Sequence, residues 1–295
     1  EGTYRATGRK YYNGNANAAA LISTFAPVEG TGEYVFFAVD PDRDGFTCVQ
    51  NVVHSQNYVA EYDLTDYPVT DADILSRGDS AWDSALNTVN IGKFNLGRPT
   101  NRNSTHTSNQ AIHHAAHREL YGMKVTDFPH VKALFTDAYA RLVAMKLVAQ
   151  RSSDYMRSAS AEDRRSLLYN PVVKMKVTTQ GEEVINHMWD VIAAKGFEKD
   201  TFFEMAARDI RALPKLEGTV HVNIALIVKF MQNYFFNPAD MPAVGRRDDA
   251  GNDSFLFDQG PTKGLGNIQF HDYNEAFGRF DLPNVHVFVG QVDAL

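Results

Sequence analysis

An apolar helix near residue 220 is the sequence feature that most limits how this chain can fold. Between residues 220 and 231 little polar surface remains, because large apolar side chains occupy most positions: Val222, Ile224, Leu226, Ile227, Val228, Phe230 and Met231. A helix that is apolar on nearly every side is predicted to be buried. Pro214 breaks the chain before it, and Glu217 lies just before its first turn. We therefore expect this carboxylate at the mouth of a core.

Two interpretations of Glu217 follow from its position. A carboxylate at the edge of an apolar pocket is disfavoured in its charged form, so its pKa should rise toward the range in which a base acts near neutral pH. Alternatively, Glu217 is an ordinary acidic residue at a helix N-terminus, where it complements the helix dipole. From spacing alone the second interpretation is the commoner one.

The N-terminal part of the chain has the pattern of short strands. Residues 34–39 are β-branched and aromatic, and the turn-forming residues 41–45 separate them from another such run at 46–49. Runs of this kind continue to about residue 73, which predicts a small antiparallel β-domain.

From about residue 82 the period changes to that of helices. Two apolar stripes have helical spacing, one of Val131, Phe135, Ala138, Tyr139, Leu142, Met145 and Ala149, the other of Val173, Val177, Val184, Met188, Val191 and Ile192. They predict an antiparallel helical bundle. The chain is thus predicted to be α+β, with a β-domain at residues 1–78, a helical bundle at 79–237 and an extended C-terminal tail at 238–295.

Residues 98–110 are predicted to form a loop. They contain no large apolar residue, include Pro99, and are rich in residues that favour caps and turns over helix interiors.

Composition excludes several classes of function. A net charge of -7 and a pI near 5.8 argue against nucleic acid as a partner, because phosphate recognition relies on clustered Lys and Arg. No apolar run approaches the roughly 20 residues that a transmembrane helix needs. The single cysteine, Cys48, excludes an intrachain disulfide and fits a reducing, cytoplasmic location. His113, His114 and His117 have no nearby carboxylate or cysteine to complete a ligand set, so no metal is expected.

Three separated elements carry a resemblance to a known family. Arg208 and Asp209, followed by the Glu-Gly-Thr of residues 217–219, resemble the C-terminal signature of the acyl-CoA dehydrogenase flavoproteins. Residues 118–122 are similar to the family's Arg-x-x-Phe-Gly element, and residues 8–17 resemble the strand and turn that lie against its flavin ring. The elements occur in the family's order.

The resemblance is closest to the large acyl-CoA dehydrogenases of mycobacteria and related actinobacteria, which accept a broad range of chain lengths. Residues 86–97, 170–179, 188–200, 255–260 and 270–272 carry this similarity. The family's N-terminal helical domain has no counterpart in the sequence, which resembles the C-terminal half beginning inside the middle β-domain.

The resemblance implies roles for residues near the proposed base. Glu217 would remove the substrate α-proton, and Gly218 would contact the substrate, whose thioester carbonyl family members hold with the backbone amide of this glutamate. Arg118 would bind the flavin pyrophosphate across a subunit interface, and Tyr121 replaces the family's usual phenylalanine. Lys93 stands near a family arginine that borders the catalytic site, but we interpret it as a surface ammonium.

Further flavin contacts are implied at Tyr12, Gly14, Thr219 and Gly196. The ordinary alternatives are a strand tyrosine, a turn glycine, a helix-start threonine and a helix-ending glycine. Ala193 and Ala194 share the family's flavin-contacting turn with Gly196 and stand where many members have glycine.

The function implied is FAD-dependent dehydrogenation of fatty acyl-CoA to trans-2-enoyl-CoA in fatty acid β-oxidation. The resemblance also implies electron-transferring flavoprotein as partner and assembly as a homodimer or homotetramer. The alternative is a non-catalytic subunit or structural fragment of an acyl-CoA dehydrogenase-like complex.

Overall fold

The computed structural model of the chain describes residues 3–54, 58–249 and 251–295. It has an α+β fold and divides into two compact units, residues 1–88 and 89–295. The division into three domains at 78/79 and 237/238 stays a prediction.

The first unit contains two small antiparallel sheets. One has the strand order β1-β5-β4 and the other β2-β3-β6. Their strands are β1 (Thr3–Gly14), β2 (Ile22–Pro27), β3 (Tyr34–Val39), β4 (Phe46–Asn51), β5 (Val59–Thr70) and β6 (Ile74–Arg77).

Alternating residues build the core of this unit. In β5, Ala60, Tyr62 and Leu64 are buried with the period of two that a strand requires. The period then slips by one residue, so that Tyr67 and Val69 are the next buried positions. The pairing of β1 with β5 shifts register at this point, which is the signature of a β-bulge.

The second unit is mainly helical. Its long helices α2 and α4 pack together, and one apolar core contains Val131, Ala138 and Met145 of α2 with Val184 and Met188 of α4. Helix α1 (Gly78–His117) begins in the first unit and continues into the second. The main elements that follow it up to residue 228 are β7 (Glu119–Leu120), β8 (Met123–Lys124), α2 (Pro129–Arg157), α3 (Ser166–Val172), a π-helical segment (Val173–Val177), α4 (Thr178–Ile192), a 3-10 turn (Ala193–Phe197), α5 (Phe202–Ile210) and α6 (Val220–Val228).

The loop predicted for residues 98–110 is wrong, because these residues lie inside the 40-residue helix α1. Hydroxyl side chains, which favoured the loop prediction, donate hydrogen bonds to the carbonyl four residues earlier within the helix. Thr100 Oγ1 donates to Leu96 O at 2.6 Å, and Ser108 Oγ donates to Ser104 O at 2.8 Å. The helix therefore satisfies these hydroxyls internally.

Close packing explains why this stretch of α1 is polar and small. Thr100 and Ser104 are fully buried and lie directly against Gly181 of α4. At Gly97 a Cβ atom would come within 2.6 Å of Val173 Cγ1. Large apolar side chains would separate these elements, so the buried face of α1 here consists of small residues.

The burial predicted for residues 220–231 is also wrong for most of the helix. Within α6 only Asn223 is buried, and Val222, Ile224 and Val228 are 49%, 44% and 56% exposed. This helix packs on α3 and the π-helical segment, which cover one of its faces. The apolar composition of α6 favours burial of all its faces, but composition does not show whether another element packs on each face.

The exposed fraction of Tyr139 is 70%, so it does not belong to the buried stripe of α2 as predicted. Val131, Ala138 and Met145 of that stripe are buried.

Beyond residue 237 the chain has little regular structure until its end. Two short helices follow two 3-10 turns there, α7 (Asn274–Phe277) and α8 (Pro283–Asp293). In the parts of the chain that the structure describes, no helix combines the length and apolar character needed to cross a membrane.

Candidate active site

Glu217 lies in a strained turn between α5 and α6. Its φ is 52°, in the left-handed region that L-residues other than asparagine and aspartate seldom occupy. Gly218 follows with a φ of 84°. Two successive left-handed residues reverse the chain sharply and turn the glutamate side chain toward α1. Backbone strain of this kind is concentrated at functional sites.

The Glu217 carboxylate lies against the backbone of α1 at Gly92. A Cβ atom built on Gly92 would lie 2.9 Å from Glu217 Cδ and 3.1 Å from both carboxylate oxygens. Any residue larger than glycine would therefore displace the carboxylate. The contact joins two positions that are remote in the sequence, one in a helix and the other in a turn.

The charges of two lysines, Lys93 and Lys174, act on this carboxylate. Lys93 is only 8% exposed, so its interpretation as a surface ammonium is wrong. Lys174 is fully buried in the π-helical segment. Burial lowers the pKa of Lys93, although the negative charge of Glu217 raises it. Burial, together with the positive charge of Lys93, lowers the pKa of Lys174 to about 8.

The pKa of Glu217 is raised above its usual value, chiefly because burial disfavours the carboxylate, while Lys93 and Lys174 act in the opposite direction. As a whole residue Glu217 is exposed. The two observations are compatible because the carboxylate lies against Gly92 while other parts of the residue face solvent. Burial thus makes Glu217 a stronger base than a solvent-exposed glutamate, and the two lysines limit this effect.

Hydrogen bonds fix the turn on both sides of Glu217. Lys174 Nζ donates to Pro214 O at 2.6 Å and also to Gly218 O. Asn223, fully buried in α6, donates from Nδ2 to Gly218 O at 3.0 Å and to Thr219 O at 2.9 Å.

Thr219 is the N-cap of α6, where its side-chain oxygen accepts a long hydrogen bond of 3.4 Å from Val222 N. This capping role fits the ordinary interpretation of Thr219. Its predicted flavin contact stays a prediction.

Arg118 and Gly196 belong to a second group of residues. The charges of Arg118, Lys195 and Glu198 all act on His114, so the end of α1 lies close to the turn that contains Gly196. Arg118 Nη1 forms a 3.5 Å hydrogen bond with His114 Nε2. Within the described ranges Arg118 has no carboxylate partner, which leaves its guanidinium available for an anionic group.

Gly196 is required by packing. A Cβ atom at this position would lie 2.9 Å from Trp189 Nε1. The residue of positive φ that ends α4 is Ala193, whose φ is 55°, and not Gly196 as the helix-ending interpretation implied. Ala193 thus adopts a backbone conformation that glycine would adopt without strain.

Tyr121 forms the tip of the β7–β8 hairpin. Tyr121 and Gly122 have φ values of 54° and 78°, as a two-residue turn of type I′ requires, and Tyr121 is 96% exposed. The structure therefore presents this ring to solvent, three residues after Arg118.

Tyr12 and Gly14 lie in the β-unit. Tyr12 occupies an irregularity in the pairing of β1 and β5, with a φ of 59° and 59% of its surface exposed. A Cβ atom added to Gly14 would meet nothing within 4 Å, so space alone does not demand glycine there. An exposed aromatic ring on a strained bulge is a candidate contact for a planar ligand.

Sequence reasoning assigned no role to Gly92, Lys174 or Asn223. A signal existed for Asn223, which is a polar residue within the apolar run 220–231. Nothing in the sequence separates Lys174 from Lys176, and Gly92 carries no signal, since the importance of both residues depends on contacts made in the folded chain. In the described part of the chain, no group of three or more His, Cys, Asp or Glu residues is arranged to hold a metal.

Comparison with known proteins agrees with the resemblance. A 3-(aryl)acrylate reductase of Clostridium sporogenes is 20% identical over 230 residues, which cover 76% of this chain and 60% of the reductase. The acyl-CoA dehydrogenase structure from Geobacillus kaustophilus has a TM-score of 0.70 at 15% identity, covering 77% of this chain and 61% of that one. A glutaryl-CoA dehydrogenase of Mycobacterium smegmatis in complex with FADH2 has a TM-score of 0.68 at 17% identity, covering 77% and 58%.

This chain spans about 60% of the length of the relatives it matches. At these identities the solved structures establish the fold alone. The family itself follows from a match to the acyl-CoA dehydrogenase C-terminal domain over residues 82–232, just over half of the chain. The chain therefore belongs to the acyl-CoA dehydrogenase family.

Proposed function

We propose that the protein is an FAD-dependent acyl-CoA dehydrogenase in which Glu217 is the catalytic base. The observation that carries the proposal is the Glu217 carboxylate itself. It lies against Gly92 on a left-handed backbone, burial raises its pKa, and Lys93 and Lys174 limit that rise. Raising the pKa of a carboxylate makes it a stronger base, which is the change that removal of an acidified proton requires.

The reaction removes two hydrogens from adjacent carbons of the acyl chain. Glu217 takes the α-carbon hydrogen as a proton, the β-carbon hydrogen leaves as hydride, and a trans double bond forms between the two carbons. The flavin, when bound, accepts the hydride. The backbone amide of Glu217 and the adjacent Gly218 are proposed to hold the thioester carbonyl, because polarising that carbonyl acidifies the α-proton.

The chain contains residues suited to FAD. The exposed Arg118 guanidinium offers a planar donor set that matches a diphosphate, and the exposed Tyr12 ring offers a surface for a planar ring system. We also propose flavin contacts for Tyr121, Gly196, Gly14 and Thr219. The FADH2 complex of the mycobacterial glutaryl-CoA dehydrogenase supports this choice of cofactor.

Fatty acyl-CoA is the proposed substrate, with β-oxidation as the process and electron-transferring flavoprotein as the electron acceptor. This finer assignment depends on resemblance to broad-chain-length family members. Proteins similar to this chain are named for glutaryl-CoA and 3-(aryl)acrylate chemistry.

The test is an anaerobic spectral titration of the purified protein containing this chain. A flavin absorption band that bleaches on addition of a medium-chain acyl-CoA, and does not bleach in Glu217→Gln, is the expected result. Glu183→Gln is the control, since Glu183 is an exposed glutamate of α4. Bleaching that survives in Glu217→Gln would exclude Glu217 as the base.

The same titration tests the alternative of a non-catalytic subunit. That alternative requires a protein that purifies without flavin and leaves acyl-CoA unchanged. A yellow protein that bleaches with substrate would exclude it.

A further inference from the structure

Lys174 is fully buried, although its side chain carries an ammonium group. Burying an ammonium is costly unless hydrogen-bond acceptors replace the lost water. Lys174 Nζ finds two such acceptors, Pro214 O and Gly218 O. These carbonyls lie on either side of Glu217 in the chain. One ammonium therefore closes the turn that carries the proposed base.

The turn needs these hydrogen bonds because its backbone conformation is unfavourable. Glu217 and Gly218 are both left-handed, and they lie outside the regular hydrogen bonding of α5 and α6. Asn223 provides a second tie by donating to Gly218 O and Thr219 O, which both lie after Glu217. Lys174 differs from Asn223 because it joins a carbonyl before Glu217 to one after it.

We propose that Lys174 is a positioning residue for Glu217: its ammonium holds the 214–218 turn closed, keeping the carboxylate against Gly92, and its charge favours the ionised base. The assignment rests on the proposed role of Glu217 as base.

The local backbone supports this arrangement. Lys174 belongs to a five-residue π-helical segment between α3 and α4. Single π-helical turns within α-helices occur frequently at functional sites, because the added residue redirects the side chains. Lys176, two residues after Lys174 in the same segment, is exposed. The segment thus directs one lysine into the protein and the other to solvent.

The charged groups around Lys174 come from two elements, α1 and the turn before α6. Lys93 of α1 and Lys215 of the turn lower the pKa of Lys174, and Glu217 raises it. Lys215 is itself paired with Glu182 of α4 at 2.7 Å. Lys93 also favours the ionised form of Glu217, so removing Lys174 alone should weaken the electrostatic support of the carboxylate and leave part of it in place.

The experiment is a pH titration of the Glu217 carboxyl carbon by NMR, in the full chain labelled with 13C-glutamate. The Glu217 signal is assigned by its disappearance in Glu217→Gln. In Lys174→Met we expect the pKa of Glu217 to rise by about one unit, as loss of a nearby opposite charge predicts. In Lys176→Met, the matched control, it should remain at the wild-type value.

Two further variants separate charge from geometry. Lys174→Arg keeps the positive charge and should hold the Glu217 pKa near its wild-type value. Lys174→Gln keeps N–H donors without charge, and it should raise the pKa as Lys174→Met does. The glutamine variant also keeps the test decisive if the methionine variant does not fold.

The pH dependence of kcat/KM provides a second measurement. A one-unit rise in the base pKa should lower kcat/KM about tenfold on the acidic limb of the pH profile and move that limb to higher pH. An unchanged Glu217 titration in Lys174→Met and Lys174→Gln would overturn the proposal.

The titration needs no turnover, so the two proposals fail separately. Absence of acyl-CoA oxidation in the wild type would reject the dehydrogenase function. The carboxyl titration would still decide whether Lys174 controls Glu217.

Discussion

The fold changes the pKa of both Glu217 and Lys174, and it gives Glu217 an unusual backbone conformation. The glutamate has a left-handed backbone and a raised pKa, and the lysine has a pKa lowered to about 8. Each is disfavoured alone, but they act on each other with opposite charge. Such paired perturbations are expected where a site requires a carboxylate of tuned basicity.

The lowered pKa of Lys174 predicts a pH dependence of stability. Between pH 8 and about 10.4, where an unfolded lysine titrates, the unfolded chain holds a proton at this position and the folded chain does not. Stability should therefore rise with pH across this window. Relative to Lys174→Met, we expect the wild type to gain about 1.5 kcal/mol between about pH 8 and pH 9.5.

Urea unfolding of both proteins at several pH values measures this difference. Taking the difference cancels other groups that titrate in the same range, and Lys176→Met should follow the wild type. A difference that stays constant with pH would show that Lys174 keeps its ordinary pKa in the folded state.

Helix α1 supplies the surface against which the Glu217 carboxylate lies. Glycine in a helix interior is usually unfavourable, but Gly92 leaves the space that the carboxylate occupies. Gly92 thus lowers the intrinsic stability of α1 and in return allows the Glu217 carboxylate to contact the helix backbone.

Gly92→Ala should separate stability from activity. Alanine favours the helix by about 1 kcal/mol over glycine, and the clashing atoms belong to the movable end of a side chain. We therefore expect an intact fold of equal or greater stability. Displacement of the base by about an ångström should lower kcat roughly 100-fold.

Thermal unfolding and steady-state kinetics check both parts of this expectation. Gly290→Ala in α8 is the control, because a Cβ atom there would meet nothing within 4 Å. It should also favour the folded state while leaving kcat unchanged. Full activity in Gly92→Ala would contradict the proposed position of the base.

The end of α4 supplies a prediction about strain. Ala193 has a φ of 55° and is the C-terminal cap of that helix. Ala193→Gly should stabilise the protein by about 1 kcal/mol. The substitution relieves the backbone strain, and the greater conformational freedom of glycine in the unfolded chain offsets part of that gain. Ala194→Gly should destabilise it by about 0.5 kcal/mol, since Ala194 has no positive φ to relieve.

Differential scanning calorimetry of the two variants distinguishes these effects. Equal changes in both would mean that the backbone at Ala193 is not strained.

The sequence predicted part of this architecture and missed part of it for a physical reason. Periodicity located the strands before residue 73 and the helices after residue 82, because each period reflects local geometry. The prediction for residues 98–110 failed because cap-forming hydroxyls can also form hydrogen bonds within a helix. The glycine against which this stretch packs, Gly181, is remote in the sequence, so local pattern does not reveal it. The position of Glu217 before α6 left two interpretations open, and the family resemblance favoured the catalytic one, whereas Gly92 could be connected to Glu217 only by the fold.

At the scale of the whole molecule, the predicted flavin and substrate residues of the helical unit fall into two groups. The charges that shift the pKa of His114 come from Arg118, Lys195 and Glu198, and those that shift the pKa of Glu217 come from Lys93 and Lys174. The two described sets share no member. We propose the assembly that the family resemblance implies, in which one subunit supplies Arg118 to the flavin of another.

A complementation experiment tests that assembly. Arg118→Ala and Glu217→Gln should each be nearly inactive alone. If each complete site takes Glu217 from one subunit and Arg118 from its partner, a mixed dimer of the two variants contains one intact site. An equal mixture allowed to exchange subunits should then recover about a quarter of the wild-type activity.

Activity is measured after co-refolding or co-expression, with each variant treated alone in the same way. A mixture of Glu217→Gln with wild type serves as the dilution control. Recovery that never exceeds the sum of the separate variants would place Arg118 and Glu217 in the same subunit's site.

The hydroxyl-lined crossing of α1 with α4 has a consequence for temperature. Thr100, Ser104 and Gly181 bring the helix backbones close together while removing little apolar surface from water. Contacts of this kind depend on dispersion and close approach, as between helices in lipid. They add little to the heat-capacity change of unfolding, so this crossing should retain its strength on cooling, when the burial of larger apolar side chains contributes less.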